Sequence, residues 1–229
     1  MPIIPTLYVE GTDDIAVISA LLSRHHINTD KGNKYLKIVS LKNDEGVIDG
    51  MPIAIKAMTS QPVGFVVDID IESQRRWDSI CGHLRELNLI LPPSCPSDGF
   101  IGRMPNYQYE FGIWLMPDCA SDGQKIEHLI KSLLPLGDPL WPHATISTDA
   151  VIAIVDIANS AKKPEEKAYE RFADQDRIKA EVRAWLAWQK EPGVPLGAAI
   201  NYRILGCDSP QALAFLRWLK RVYNLPLDV

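Results

Sequence analysis

The chain is short of the features that would make its role easy to exclude or assign. Across 229 residues there are four cysteines, Cys81, Cys95, Cys119 and Cys207, and none forms a CxxC pair. The five histidines are not spaced to complete a zinc site. Unpaired thiols of this kind belong to a reducing compartment. No apolar run approaches the ~20 residues of a membrane span, and Met1-Pro2-Ile3-Ile4-Pro5 has no basic n-region or cleavage site. The expectation is therefore a cytoplasmic protein without membrane association. Basic excess is absent too: the net charge of -5 argues against a protein that coats nucleic acid non-specifically, though it allows a local basic surface. There is no internal repeat, no low-complexity linker and no recognisable tyrosine-nucleophile motif.

Two acidic clusters stand out, each after an apolar run. The first is Leu7-Tyr8-Val9-Glu10-Gly11-Thr12-Asp13-Asp14; the second is Gly64-Phe65-Val66-Val67-Asp68-Ile69-Asp70-Ile71-Glu72. Strands are predicted over 3–9, 35–41 and 63–69. Between the first two lies a helix with Ile15, Val17, Ile18, Leu21 and Leu22 on its apolar face, Thr12 as N-cap and His25-His26 at its end. Asn43-Asp44-Glu45-Gly46 reads as a turn before a helix reaching Met58. Ser73 is expected to cap a helix with Trp77, Ile80, Leu84 and Leu87 in line. Residues 1–88 therefore read β-α-β-α-β-α, the alternation of a parallel sheet with right-handed crossovers.

Later the pattern changes. Pro92, Pro93 and Pro96 mark a loop, and 99–103 with 107–116 form a candidate hairpin. Helices are predicted near 124–134, 148–160 and 175–190, with a Pro-rich irregular stretch over 136–147 and a charged loop over 162–166. Glu191-Pro192-Gly193 stops the third of these helices, and Ser209-Pro210 starts a last one. The tryptophans read mostly as core, with Trp185 and Trp188 suited to helix packing. The fold expected is α/β: one domain over 1–229, its core at about 1–120 and a helical extension over 121–229.

Ligands of open α/β sheets bind at the carboxyl ends of the strands. Carboxylates gathered there repel one another unless a cation lies between them, which points to magnesium or manganese and to phosphate chemistry. Alternation along a strand puts Asp68, Asp70 and Glu72 on one side and Ile69 and Ile71 on the other, and Glu10 on a neighbouring strand can reach the same centre. Asp13 and Asp14 suit a helix N-terminus first and a ligand role second. Asp118 is a ligand candidate or a polar turn. Glu127 could approach the metal, or serve a solvated helix face. Lys179 and Arg183, one helical turn apart, could contact phosphate.

A strand ending in Val-Glu-Gly-x-x-Asp, followed by a β-α unit and a strand ending in Asp-x-Asp, resembles the Toprim domain of topoisomerases, bacterial primases, recombination-repair proteins and overcoming-lysogeny-defect nucleases. Over nearly its whole length the chain also resembles a group of small stand-alone bacterial and archaeal Toprim-like proteins, through Trp114-Leu115-Met116-Pro117-Asp118, Lys125-Ile126-Glu127 and Ala184-Trp185-Leu186-Ala187-Trp188-Gln189 with Glu191-Pro192-Gly193. The resemblance implies a Toprim-like, Rossmann-like fold. It makes Glu10 a general acid or base, Asp68 and Asp70 the metal pair, and Glu72 an extension to Asp-x-Asp-x-Glu. Ser73 stands where many Toprim domains have glycine.

The function expected is magnesium- or manganese-dependent phosphodiester cleavage of DNA or RNA, with Glu10, Asp68 and Asp70 catalytic. The alternative is a metal-binding regulatory module that needs a partner, such as an ATPase of a phage-defence system. A haloacid-dehalogenase-like phosphatase would carry Asp-x-Asp on its first strand. A receiver domain would need a lysine at a later strand end. A sugar-nucleotide transferase would leave Val-Glu-Gly-x-x-Asp unexplained.

Overall fold

The computed structural model describes residues 4–27, 29, 35–58, 60–70, 72–160, 170 and 172–229. The start of the expected first strand at Ile3, the facing of Ile71 and the charged loop over 162–166 lie outside the described residues. The chain forms two compact units, one of Met1–Leu133 with Leu196–Val229, the other of Leu134–Pro195. The helical stretch after residue 121 is thus divided between them.

The first unit is built on a five-stranded sheet in the order β2-β1-β3-β5-β4. Strands β1 (Thr6–Val9), β2 (Lys37–Ser40), β3 (Val63–Asp68) and β5 (Glu110–Met116) run parallel, and β4 (Phe100–Arg103) pairs antiparallel with β5. The hairpin predicted for residues 99–116 is this last pair. The architecture is α/β, a mostly parallel sheet flanked by helices. Strands β3 and β5 carry near-continuous apolar runs because parallel strands are covered on both faces: Val63 to Val67 and Phe111 to Met116 are all buried.

The helices of this unit are α1 (Thr12–Arg24), α2 (Asp44–Ala57), α3 (Ser73–Leu84), α4 (Ile126–Ser132), α7 (Leu196–Asn201) and α8 (Pro210–Tyr223). Helix α1 packs on α7, α2 lies against β1, β3 and α3, and α8 lies against β5 and α4. The join between α8 and β5 is aromatic: Trp114, Phe215 and Trp218 have ring centroids 5.4 to 5.7 Å apart. The indole Nε1 of Trp218 donates to the Phe100 carbonyl at 3.2 Å. Gly112 permits this approach, since a Cβ there would lie 2.5 Å from Val222 and 2.7 Å from Trp218.

The second unit consists of α5 (Trp141–Ser160) packed with α6 (Arg177–Ala187). Arg177 joins them, 2.7 Å from Asp149 and 2.8 Å from Glu181. The Trp185 indole donates to Asp138 at 2.9 Å. Among the described residues no helix is long and apolar enough to cross a membrane.

Several local expectations change. Asn43 to Gly46 is not a free turn: Asn43 is the N-cap of α2, its side chain accepting the Gly46 N–H at 2.8 Å. Helix α5 begins at Trp141, inside the stretch read as irregular, because Pro142 falls in the first turn, where its missing N–H is not needed. Asp138 accepts the Leu140 and Trp141 N–H groups there. The N-cap of α1 is Gly11 rather than Thr12, and that of α3 is Glu72 rather than Ser73. Trp188 is 43% exposed instead of packed, while Trp77, Trp114, Trp185 and Trp218 form core. The start of α8 is as read, with Ser209 Oγ accepting the Ala212 N–H.

Candidate metal centre

The site is assembled where β1 and β3 end and α1 and α4 begin. Glu10 directly follows β1. Its backbone carbonyl accepts from Ser40 Oγ at 2.8 Å, and its side-chain Oε1 accepts the Asp68 N–H at 2.7 Å. The two strand ends named by the sequence are therefore tied together through the Glu10 carboxylate. Asp68, the last residue of β3, accepts the Ile126 N–H on Oδ1 at 3.1 Å, which links it to the first residue of α4. Asp14, in the first turn of α1, accepts the Gly11 N–H at 2.8 Å and is buried. Glu127, second residue of α4, is 3% exposed, which sets aside a solvated helix face for it.

Burial and mutual repulsion raise the proton affinity of Glu10, Asp14 and Asp68. Glu10 is pushed from 4.5 to about 7, first by burial and then by Asp14, Asp70 and Asp44, against the Asp68 N–H that favours its charge. Asp14 is pushed from 3.8 to about 6, by burial and then by Glu127 and Asp13, against the Gly11 N–H. Asp68 is held well above the ordinary carboxylate range by burial and by Glu10, Asp14, Glu127 and Asp70.

Asp70 is placed differently. Strand β3 ends at Asp68, and Asp70 sits at φ +61°, in the left-handed region. The N–H groups of Ile69 and Asp70 both donate to the Gln124 carbonyl at 3.1 Å. Period-2 alternation therefore stops at Asp68 and does not carry Asp70 and Glu72 onto a common face. Both Asp70 oxygens are in ion pairs, Oδ1 with Lys125 at 3.1 Å and Oδ2 with Arg76. Arg76 also pairs with Asp44 at 2.7 Å. Glu72 is exposed and makes no side-chain cap bond.

The remaining candidates separate. Asp13 is at the start of α1, half-buried. Asp118 closes its own turn, accepting from Ala120 N, Ser121 N and Ser121 Oγ at 2.7 to 3.1 Å. Lys179 and Arg183 are exposed residues of α6, in the second unit. Of the basic partners, Arg76 was missed by sequence reasoning, with the Arg75-Arg76 doublet after the acidic run as the available signal, and Lys125 entered only within the Lys125-Ile126-Glu127 motif, without a role. Asp122, also missed, holds the start of α3 through the Ser73 N–H and hydroxyl at 2.7 and 2.8 Å.

A family described as "Protein of unknown function (DUF3226)" matches residues 5–224. The chain belongs to this family. The match takes in every carboxylate of the cluster as well as both helical additions. No curated protein and no solved structure matches the chain.

The residues were weighed against a divalent cation. Among the described residues, no three His, Cys, Asp or Glu side chains stand together in an arrangement ready to hold an ion. Glu10 and Asp68 nevertheless each use one carboxylate oxygen in a backbone hydrogen bond, so one oxygen of each remains as a hard donor. Magnesium needs only one or two carboxylates, with water and phosphate oxygens completing its shell. Two carboxylate donors meet that requirement, and Asp14 and Glu127 add to the negative potential at Asp68.

Proposed function

We propose that this chain is a magnesium- or manganese-dependent phosphodiester hydrolase acting on nucleic acid, with Glu10 and Asp68 at its centre. The observation that carries this reading is the joining of the two acidic strand ends through Glu10 and the Asp68 N–H, in a cluster of carboxylates whose charge is disfavoured by burial and by one another. A cation relieves that repulsion. The resemblance of Val9-Glu10-Gly11 and Asp68-Ile69-Asp70 to the Toprim pattern supports the same chemistry.

The ion would be held by Glu10 and Asp68. Once bound, it would polarise the phosphodiester and lower the proton affinity of coordinated water. Without the ion Glu10 has a pKa of about 7; a bound cation would lower it and hold Glu10 as the carboxylate that orients the attacking water and accepts its proton. The Asp68 N–H orients Glu10, and the Ile126 N–H orients Asp68. Asp70 could join the set by exchanging Lys125 for the ion.

Labelled single- and double-stranded DNA and RNA, incubated with the purified protein and Mg2+ or Mn2+, test the reading. Cleavage should occur with the wild type and disappear in Asp68→Asn and Glu10→Gln, with metal binding weakened in both by calorimetry. Absence of metal binding by the wild type would sink the proposal. A second reading, a regulatory module that acts only with a protein partner such as an ATPase, is favoured by the pairing of both Asp70 oxygens with cations. Metal binding without cleavage of any of these substrates would select it.

A further inference from the structure

A cavity of about 240 Å³ adjoins the carboxylate cluster, lined by Ile69, Asp70, Glu72, Arg75, Arg76 and Ser79. Its lining is of mixed charge. Asp70 and Glu72 supply one sign, the α3 residues Arg75 and Arg76 the other. Arg76 is committed to Asp44 and Asp70. Arg75 has no ion-pair partner among the described residues and is exposed. Ser79 lies four residues after Arg75, so the two share one side of α3, and Glu72, the N-cap, stands at its start. A guanidinium with no carboxylate to hold, beside a hydroxyl and open to a cavity, is a fork shaped for phosphate oxygens. Glu72 alone would repel such an anion. Placing the guanidinium of Arg75 at the cavity offsets that charge, and Arg76 already offsets Asp70.

We propose that this cavity is a phosphate subsite, with Arg75 as its anchor, that receives the phosphodiester next to the reacting one on a nucleic-acid strand. The inference rests on the reading of Glu10 and Asp68 as the cleavage centre. Asp70 connects the two places: it lines the cavity and is two residues, at most about 7 Å of chain, from Asp68. The volume suits one phosphate with its sugar and falls below the ~300 Å³ at which pockets for larger ligands begin. A strand passing through it would set one phosphate over Asp68 and its neighbour against Arg75. A free mononucleotide carries only one of these phosphates and forgoes the second contact.

The test is binding of a fluorescent single-stranded oligonucleotide, followed by anisotropy with Mg2+ present in a Glu10→Gln background that prevents cleavage, at several salt concentrations. Adding Arg75→Ala should weaken binding about tenfold and reduce the slope of log affinity against log salt by about 0.7, one phosphate contact on a single strand. Arg75→Lys should restore the slope and part of the affinity. Arg217→Ala, which removes an exposed arginine from α8, should leave the slope as it was. An unchanged slope in Arg75→Ala, an equal fall in Arg217→Ala, or no oligonucleotide binding in the Glu10→Gln background overturns the subsite. So does a nucleoside monophosphate that binds as tightly as the oligonucleotide. The two readings fail separately. Arg75-dependent binding in a protein that never cleaves removes the hydrolase and keeps the subsite. Cleavage by the wild type with Arg75-independent binding does the reverse.

Discussion

Replacing Glu10 by glutamine should stabilise the metal-free protein at alkaline pH, an unusual outcome for a change in a buried polar residue. Glu10 is raised from 4.5 to about 7 in the folded chain. A carboxyl whose folded pKa lies above its unfolded one binds more protons when folded, so stability falls as pH rises between the two values. The penalty is absent below about 4.5 and complete above about 7, where the difference corresponds to about 3 kcal/mol. Glutamine removes the charge and keeps an oxygen for the Asp68 N–H, as the protonated acid does, and the weight of that bond is already contained in the raised value. The gain at pH 8 is therefore about 3 kcal/mol, or roughly 6–12 °C in melting temperature for a chain of this size. The assay is thermal unfolding in chelator from pH 4 to pH 8 (roughly the interval that contains both pKa values). The variant's advantage should grow with pH and vanish at the acidic end. Saturating Mg2+ should reverse the order, because an ion that binds only the folded wild type adds its own stabilisation. If Glu10→Gln melts at or below the wild type at pH 8 without metal, the argument from electrostatic repulsion at this site is wrong.

Arg76→Ala leaves Asp44 and Asp70 without their shared partner in a side-chain environment that is only 15% exposed for the arginine, and should cost about 2 kcal/mol in urea denaturation; a neutral result would mean that neither pair is stabilising. Gly112→Ala drives a methyl into Val222 and Trp218, and should cost about 1–3 kcal/mol by the same measurement, with the near-ultraviolet tryptophan signal altered. Ser209→Ala removes the acceptor for the Ala212 N–H at the start of α8 and should cost about 1 kcal/mol. A much smaller loss would show that Pro210 and packing hold that turn unaided.

Much of the sheet could be read in advance because its signals are local. Val63 to Val67 is an unbroken apolar run, and only a strand covered on both faces wants one. The acidic residues that end β1 and β3 could be read as a cluster for the same reason: strand order brings Glu10 and Asp68 to one end of the sheet. Glu127 could not be assigned. The helix period shows that Ile126, Leu129 and Ile130 share a face, but not that Glu127 is also covered. The facing of Asp70 was not legible because alternation was extended one step past the strand, into a residue at positive φ. The start of α5 was hidden because proline breaks a helix interior yet is harmless in the first turn.

By itself, the sequence determined the β-α order, the apolar centre of the sheet and the identity of the carboxylates at its strand ends. These follow from residue periodicity and from the parallel crossovers that periodicity demands. Tertiary structure alone decided which acids face one another and which are neutralised. Glu10 bonds to Asp68 across 58 residues of chain, Asp68 bonds to Ile126 across another 58, and Lys125 and Arg76 claim Asp70. Burial and charge proximity set proton affinity and metal competence, and both are properties of how distant segments pack.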